Sequence, residues 1–247
     1  MKSRRTGRRG LLTRLLGAAL VGAALLGVVV TGWLAFSHEA APAPPRSPSS
    51  AAPVHSYKAD RSVTVAVYGD SISQGDSRGF AYLDLGKTSW VSHLQPGRVR
   101  FVGGQAIGGT RSGDLPDRYQ EGVRSNVLVL FLGTNDFRTR EASVERMAAN
   151  FAAFYAARGA SMGTPRVITV ALGPMADRDA AQIREWNRRL EAESAARGWT
   201  YADPWTRLRD SANRWLPAYA RDEVHPNEAG AVVLAEELST IIERAAG

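Results

Sequence analysis

The chain has 247 residues, 44% of them hydrophobic and 22% charged, a balance that excludes wholesale disorder and repetitive fibrous structure. The absence of cysteine excludes a disulfide framework, thiolate metal centres, iron–sulfur clusters and a cysteine nucleophile. A formal charge of +7 would favour a nucleic-acid partner if it covered a fold, but eight of the 31 basic residues and one of the 24 acidic residues lie at or before Lys58, so the rest is neutral.

Lys2, Arg4, Arg5, Arg8, Arg9 and Arg14 precede residues 15–36, a stretch of 22 residues without charge. As a helix it would measure about 33 Å, enough to cross a bilayer. It exceeds the apolar core of about 7 to 15 residues usual in a cleaved export signal, and Pro44 follows the best small-residue cleavage site, Ala41-Pro42-Ala43. These features predict a basic cytoplasmic segment at 1–14, an uncleaved transmembrane signal anchor at 15–36 and a Pro/Ala/Ser-rich linker at 37–58. The domain at 59–247 would then stand outside the cytoplasmic membrane, tethered to it, or be secreted if the anchor were cleaved. Arg8-Arg9 also matches a twin-arginine export signal, a second route to the same destination.

Beyond the linker, apolar runs read as buried parallel strands at 63–68, 99–102, 127–132 and 167–172, with a short fifth at 200–202 closed by Asp203-Pro204. Helical spacing separates them. Val144, Met147, Ala148, Phe151 and Tyr155 recur three and four apart, as do Leu234, Leu238, Ile241 and Ile242. Strand alternating with helix predicts a doubly wound α/β fold around a five-stranded parallel sheet. A domain of this size buries roughly 70% of its unfolded surface.

Ligands of open parallel sheets lie beyond the carboxyl ends of the strands. The segments there are Gly69-Asp70-Ser71-Ile72-Ser73, residues 103–112, Gly133-Thr134-Asn135-Asp136 and, after the fifth strand, Asp222-Glu223-Val224-His225-Pro226. A hydroxyl is a weak nucleophile that needs a base, and the base needs an orienting acid. Of the four histidines, His38 and His55 precede the fold and His93 falls in a helix with no acid at suitable spacing. His225 has Asp222 three positions earlier in a turn. Ser71 is the natural nucleophile, and an attacked carbonyl oxygen would need donors such as the Gly109 N–H and the Asn135 amide. Singly, each of these has a structural reading as cap, turn residue or satisfied core polar group.

Together, Gly69-Asp70-Ser71-Ile72, Gly133-Thr134-Asn135-Asp136 and Asp222-Glu223-Val224-His225 resemble, in order and spacing, the sequence blocks of the SGNH hydrolase superfamily of GDSL esterases and lipases. The resemblance implies a three-layer α/β/α flavodoxin-like fold, Ser71 as nucleophile, His225 as base and Asp222 as its orienter. It also implies an oxyanion hole formed by the Ser71 and Gly109 backbone N–H groups and the Asn135 side chain. The glycine block departs from the family pattern in having Gly104 where an asparagine is common; Gly109 fits best and Gly108 second. Asp70 and Asp136 are assigned structural hydrogen-bonding roles.

Gly159-Ala160-Ser161-Met162-Gly163 matches the nucleophile elbow of a different hydrolase fold, but it follows a helical pattern and precedes a strand, so it reads as a helix-to-strand loop. No nucleotide-binding or metal motif is present, and no cofactor is expected. Trp205, Trp215 and Tyr219 lead towards Asp222, where they either pack in the core or line a sugar or acyl site. The resulting expectation is an extracytoplasmic serine esterase acting on small-molecule, lipid or cell-wall carbohydrate esters. An acyltransferase with the same triad and an inactive envelope-binding protein are the alternatives.

Overall fold

The computed structural model describes residues 62–119, 121–140 and 142–247. Five parallel strands form one sheet: β1 (Val63–Gly69), β2 (Val99–Ala106), β3 (Val127–Phe131), β4 (Arg166–Val170) and β5 (Thr200–Ala202), in the order β2-β1-β3-β4-β5. Between them run α1 (Ser71–Gln74), α2 (Leu115–Arg118), α3 (Thr134–Thr139), α4 (Val144–Met162), α5 (Ala180–Ala196) and, last, α6 (Glu228–Ala246). The expected five-stranded parallel α/β architecture is therefore observed.

Strand side chains alternate between two helix layers, as the pleat requires. Val65, Val67, Val127, Val129, Phe131 and Ile168 pack against α6 and Ile72 of α1. Ala66, Tyr68, Leu128 and Leu130 pack on the opposite face against α4 and Leu115 of α2. Every residue of β3 is buried, which explains why it reads as one unbroken apolar run rather than an alternating one.

Several boundaries differ from the sequence expectation. β2 continues to Ala106 because Gly103, Gly104 and Gln105 keep pairing with Ala66, Val67 and Tyr68 after a register shift beside Val65. β4 stops at Val170, and two residues later the Asn187 amide takes over both backbone groups of Leu172, accepting from its N–H at 2.8 Å and donating to its C=O at 2.9 Å. The segment at 159–163 is not a loop. Ser161 lies in the last turn of α4, which runs on to Met162 and ends at Gly163 with φ +76°.

The transmembrane part of the sequence reading is corrected. Among the described residues no helix is long and apolar enough to cross a membrane. The physical reason is visible in α4 and α6, the longest, which interleave buried apolar residues with charges such as Glu145, Arg146, Glu236 and Glu237. The stretch at 15–36 on which a signal anchor was expected lies outside the described residues. Among the described residues the fold is an α/β domain without a transmembrane helix, and the membrane partner, membrane-anchored family member and single-pass localisation expected from the sequence are not carried further.

Asn187 is buried, and its amide satisfies a strand end that has no ladder partner. Asn187→Ala leaves two buried backbone groups of Leu172 unpaired and is expected to cost about 2–4 kcal/mol in urea denaturation. Wild-type stability in that variant would show that water replaces the amide.

Candidate active site

The register of the sheet sets the site. Gly69 of β1 is level with Ala106 of β2 on one side and Phe131 of β3 on the other, so the chain leaves all three strands at the same height. Asp70 follows at once as the cap of α1, its Oδ1 accepting the Ile72 N–H at 3.0 Å. Ser71 is therefore the first helical residue, where a backbone N–H has no partner within the helix. The turn is clamped below: the Trp90 indole donates to Ser73 Oγ at 3.0 Å, Ser89 Oγ donates to the Ser73 carbonyl at 2.6 Å, and Tyr119 OH donates to the Gly69 carbonyl at 2.5 Å.

His225 and Asp222 come from the segment before α6. The Asp222 Oδ1 accepts the N–H groups of Val224 at 2.9 Å and His225 at 2.8 Å, closing the turn on its own side chain. Both carboxylate oxygens lie 2.9 Å from His225 Nδ1, and His225 Nε2 lies 2.8 Å from Ser71 Oγ. Burial alone would raise the Asp222 carboxyl, but the two backbone donors and the His225 ring outweigh it and bring it down to about 2. The ionised carboxylate can only accept, so His225 donates its Nδ1–H to it, which leaves the Nε2 lone pair to accept from the Ser71 hydroxyl. Val224, between them, is buried with Leu172, Met175 and Ile183, and the Glu223 carbonyl accepts the Ala176 N–H at 2.9 Å.

The other sequence-derived donors arrive from β2 and β3. Gly108 donates its N–H to Gln74 Oε1 at 2.7 Å, whereas the N–H groups of Ser71 and Gly109 have no acceptor among the described residues. Gly109 holds φ +75°, a turn that favours glycine. Asn135, in the first turn of α3, donates from Nδ2 to the Thr110 carbonyl at 3.0 Å and faces Asp70 Oδ2 at 3.5 Å. Asp136 accepts from the Ser112 N–H at 2.9 Å and from Ser112 Oγ at 2.6 Å, while Asn150 Nδ2 donates to that Oγ at 2.9 Å. This small network ties the glycine loop to α3. Its members Thr110, Ser112 and Asn150, like Gln74, are not singled out by the sequence, since only their partners in space distinguish them from ordinary loop and helix polar residues.

Other sequence candidates fall elsewhere. The Ser161 hydroxyl donates to the Arg158 carbonyl one turn back at 2.8 Å on the surface of α4. His93 ends a 3₁₀ turn at Trp90–His93 and sits 2.7 Å from the Lys87 carbonyl. His38 and His55 lie outside the described residues. Trp205 is fully buried, donating to the Ala171 carbonyl at 2.8 Å and packing edge-on against Trp215, and Tyr219 packs against the same core. The core reading of these aromatics is the one realised. Among the described residues no group of acids and histidines is arranged to hold a metal ion.

A parallel α/β sheet with hydroxyl, imidazole and carboxylate in line at its carboxyl edge is the architecture of an SGNH-type hydrolase. The model of the GDSL-like lipase/acylhydrolase family matches residues 67–233, so the chain belongs to that family. No curated protein matches it. Solved structures similar in fold include a GDSL-like lipase from Bacteroides thetaiotaomicron, at 19% identity over 74% of this chain and 89% of the other with a TM-score of 0.53. A catalytic mutant of an acetylxylan esterase from Geobacillus stearothermophilus is 18% identical over 73% of this chain and 94% of its own, with a TM-score of 0.55.

Burial pushes the wholly buried Asp70 carboxyl up to about 7, against the hydrogen bond from Ile72, and nearby Asp136 adds to the rise. Unfolded, this group loses its proton near 3.8; folded, only near 7. The fold thus binds the extra proton between those values, and the Asp70 contribution to stability falls as pH rises through that window. Asp222 acts in the opposite sense and lower, its stabilisation being lost only as pH falls from about 4 towards about 2. Asp70→Asn keeps an acceptor for Ile72 and removes the titration. Urea unfolding at pH 4 and pH 8 should show a smaller loss of stability in the variant than in the wild type; an equal loss would refute the assignment.

Proposed function

We propose that this chain hydrolyses carboxylic esters through an acyl-enzyme on Ser71. The observation that carries the reading is the continuous line from Asp222 through His225 to Ser71, with contacts of 2.9 and 2.8 Å. In the first step Ser71 Oγ bonds to the ester carbonyl carbon while its proton passes to His225 Nε2. Negative charge gathers on the carbonyl oxygen, where its donors are the Asn135 amide and the N–H groups of Ser71 and Gly109, which have no acceptor among the described residues. One Asn135 hydrogen is held by Thr110; the other has only the long 3.5 Å contact to Asp70 and is available. Collapse expels the alcohol, which takes the proton from His225. Water then gives one proton to the same nitrogen as its oxygen bonds to the acyl carbon; the acyl–Oγ bond breaks, Ser71 Oγ takes that proton back from His225, and the acid leaves.

Asp222 serves as orienter and counter-charge. Its two backbone donors hold the carboxylate in place, so the imidazole is aligned before substrate binds. Similarity to an acetylxylan esterase makes acetyl esters of sugars the first natural substrates to offer, alongside simple acyl esters.

The test is hydrolysis of p-nitrophenyl esters from acetate to octanoate by the full chain. Ser71→Ala should lower kcat by roughly 10⁴-fold or more, and Asn135→Ala by about 10²- to 10³-fold. Ser161→Ala should leave the rate as it is. Undiminished turnover in Ser71→Ala, or a loss confined to Ser161→Ala, would refute the proposed site.

A further inference from the structure

A cleft of about 450 Å³ opens at the edge of the sheet beside β2, its wall including Tyr82, Gln105, Asp117, Arg118 and Glu121. β2 is an edge strand, and Gly103 and Gly104 leave this part of it without side chains. No larger residue fits at Gly104: φ is +131°, and a Cβ there would lie 2.0 Å from the Val67 carbonyl oxygen. The cleft is therefore floored in part by bare backbone.

Above it stands Tyr82, 89% exposed although aromatic. The turn that presents it is well anchored. Phe80 is buried with its ring 5.2 Å from that of Phe101, and Gly79 and Asp84 exchange backbone hydrogen bonds at 3.2 and 3.1 Å. Exposure of the Tyr82 ring thus comes with a fixed backbone beneath it.

The polar wall is unspent. Among the described residues the side chains of Gln105, Asp117, Arg118 and Glu121 make no hydrogen bond or ion pair. A larger cleft of about 630 Å³ near Phe137 and Trp186 differs in this respect, its Arg178, Glu185 and Arg189 being paired with Asp177, Arg188 and Glu145. At β2, two carboxylates that accept, a guanidinium that donates and an amide that does both surround one exposed aromatic face. That mixture suits vicinal hydroxyls around a ring with an apolar face.

We propose that this cleft is a subsite for a neutral oligosaccharide, with one sugar ring stacked on Tyr82 and its hydroxyls shared among Gln105, Asp117, Arg118 and Glu121. The inference deepens the ester-hydrolase reading and rests on it, since the chain bound here would carry its ester to Ser71. The distance is suitable. Gln105 is four residues before Gly109, so their Cα atoms are at most about 14 Å apart, a span of a few sugar units. The wall also connects to the nucleophile turn, because Tyr119, next to Arg118, donates to the Gly69 carbonyl.

Two measurements test it on the full chain. Calorimetric titration with xylotetraose, cellotetraose and chitotetraose should find at least one that binds with millimolar or tighter Kd. Tyr82→Ala should weaken that binding about tenfold, while Tyr82→Phe, which keeps the ring, should retain it. In kinetics, the ratio of kcat/KM on acetylated xylotetraose to that on p-nitrophenyl acetate should fall about tenfold in Tyr82→Ala, through KM. Binding by none of the three tetrasaccharides, or binding unchanged in Tyr82→Ala, overturns the subsite. Binding that depends on Tyr82 in a chain that cleaves no ester upholds the subsite and refutes the catalytic reading instead.

Discussion

Hydrogen bonding of β1 between β2 and β3 is the constraint on which the site depends. β1 and β3 are adjacent although β2 separates them in sequence, so the chain after β1 and the chain after β2 diverge from a shared edge. The Asp70 N–H, donating to the Phe131 carbonyl at 3.3 Å, extends the β1–β3 ladder one residue past the end of β1. A slip of one residue would turn every core side chain of β1 to the wrong helix layer, so hydrophobic burial holds the register and the register holds Ser71, Gly109 and Asn135 at one level.

The segment bearing Asp222 and His225 has no strand to place it. Its position comes from several weaker ties: the internal Asx-type turn, the Ala176 to Glu223 backbone bond, Val224 in its apolar cluster, and Asn227, which caps α6 through the Gly230 N–H at 2.9 Å. Asn227 also donates to the Ala218 carbonyl at 2.9 Å, tying the start of α6 back to the approach segment. The imidazole is thus carried by a turn whose shape is local and whose location is tertiary.

Around these groups the protein buries carboxyls that an apolar core would omit. Burial raises Asp136 above the ordinary carboxylate range despite its hydrogen bonds from Ser112, and Asp70 is raised likewise. Burying such groups opposes folding, and the bonds they accept offset part of that cost. What they supply is geometry, linking the cap of α1, the glycine loop and the first turn of α3 through directional bonds where apolar contacts would permit sliding. Stability is surrendered next to the Ser71 hydroxyl and recovered in the sheet core.

Residue order and local chemistry determined a good deal: the parallel sheet from its apolar runs, α4 and α6 from their apolar spacing, and the Asp222–His225 turn from a separation that lets a side chain close on its own backbone. Local pattern misjudged what neighbours decide. Ser161 continues α4 because only at Gly163 does the backbone turn left-handed, and the buried stripe of α5 contains Asn187 and Ser194 alongside Ile183 and Leu190, which breaks its apolar rhythm. Those polar residues are buried because Leu172 and Thr169 meet them from β4 and the loop that follows. Equally, a run of uncharged residues carries length and hydropathy but no statement of what surrounds it. Tertiary structure alone decided that Gln74 engages Gly108, that Trp205 is core, and that, among the described residues, the Gly109 N–H has no acceptor and Tyr82 stands in solvent above a polar wall without partners. Partners distant in sequence meet only when the sheet closes, so neither spacing nor composition can specify them.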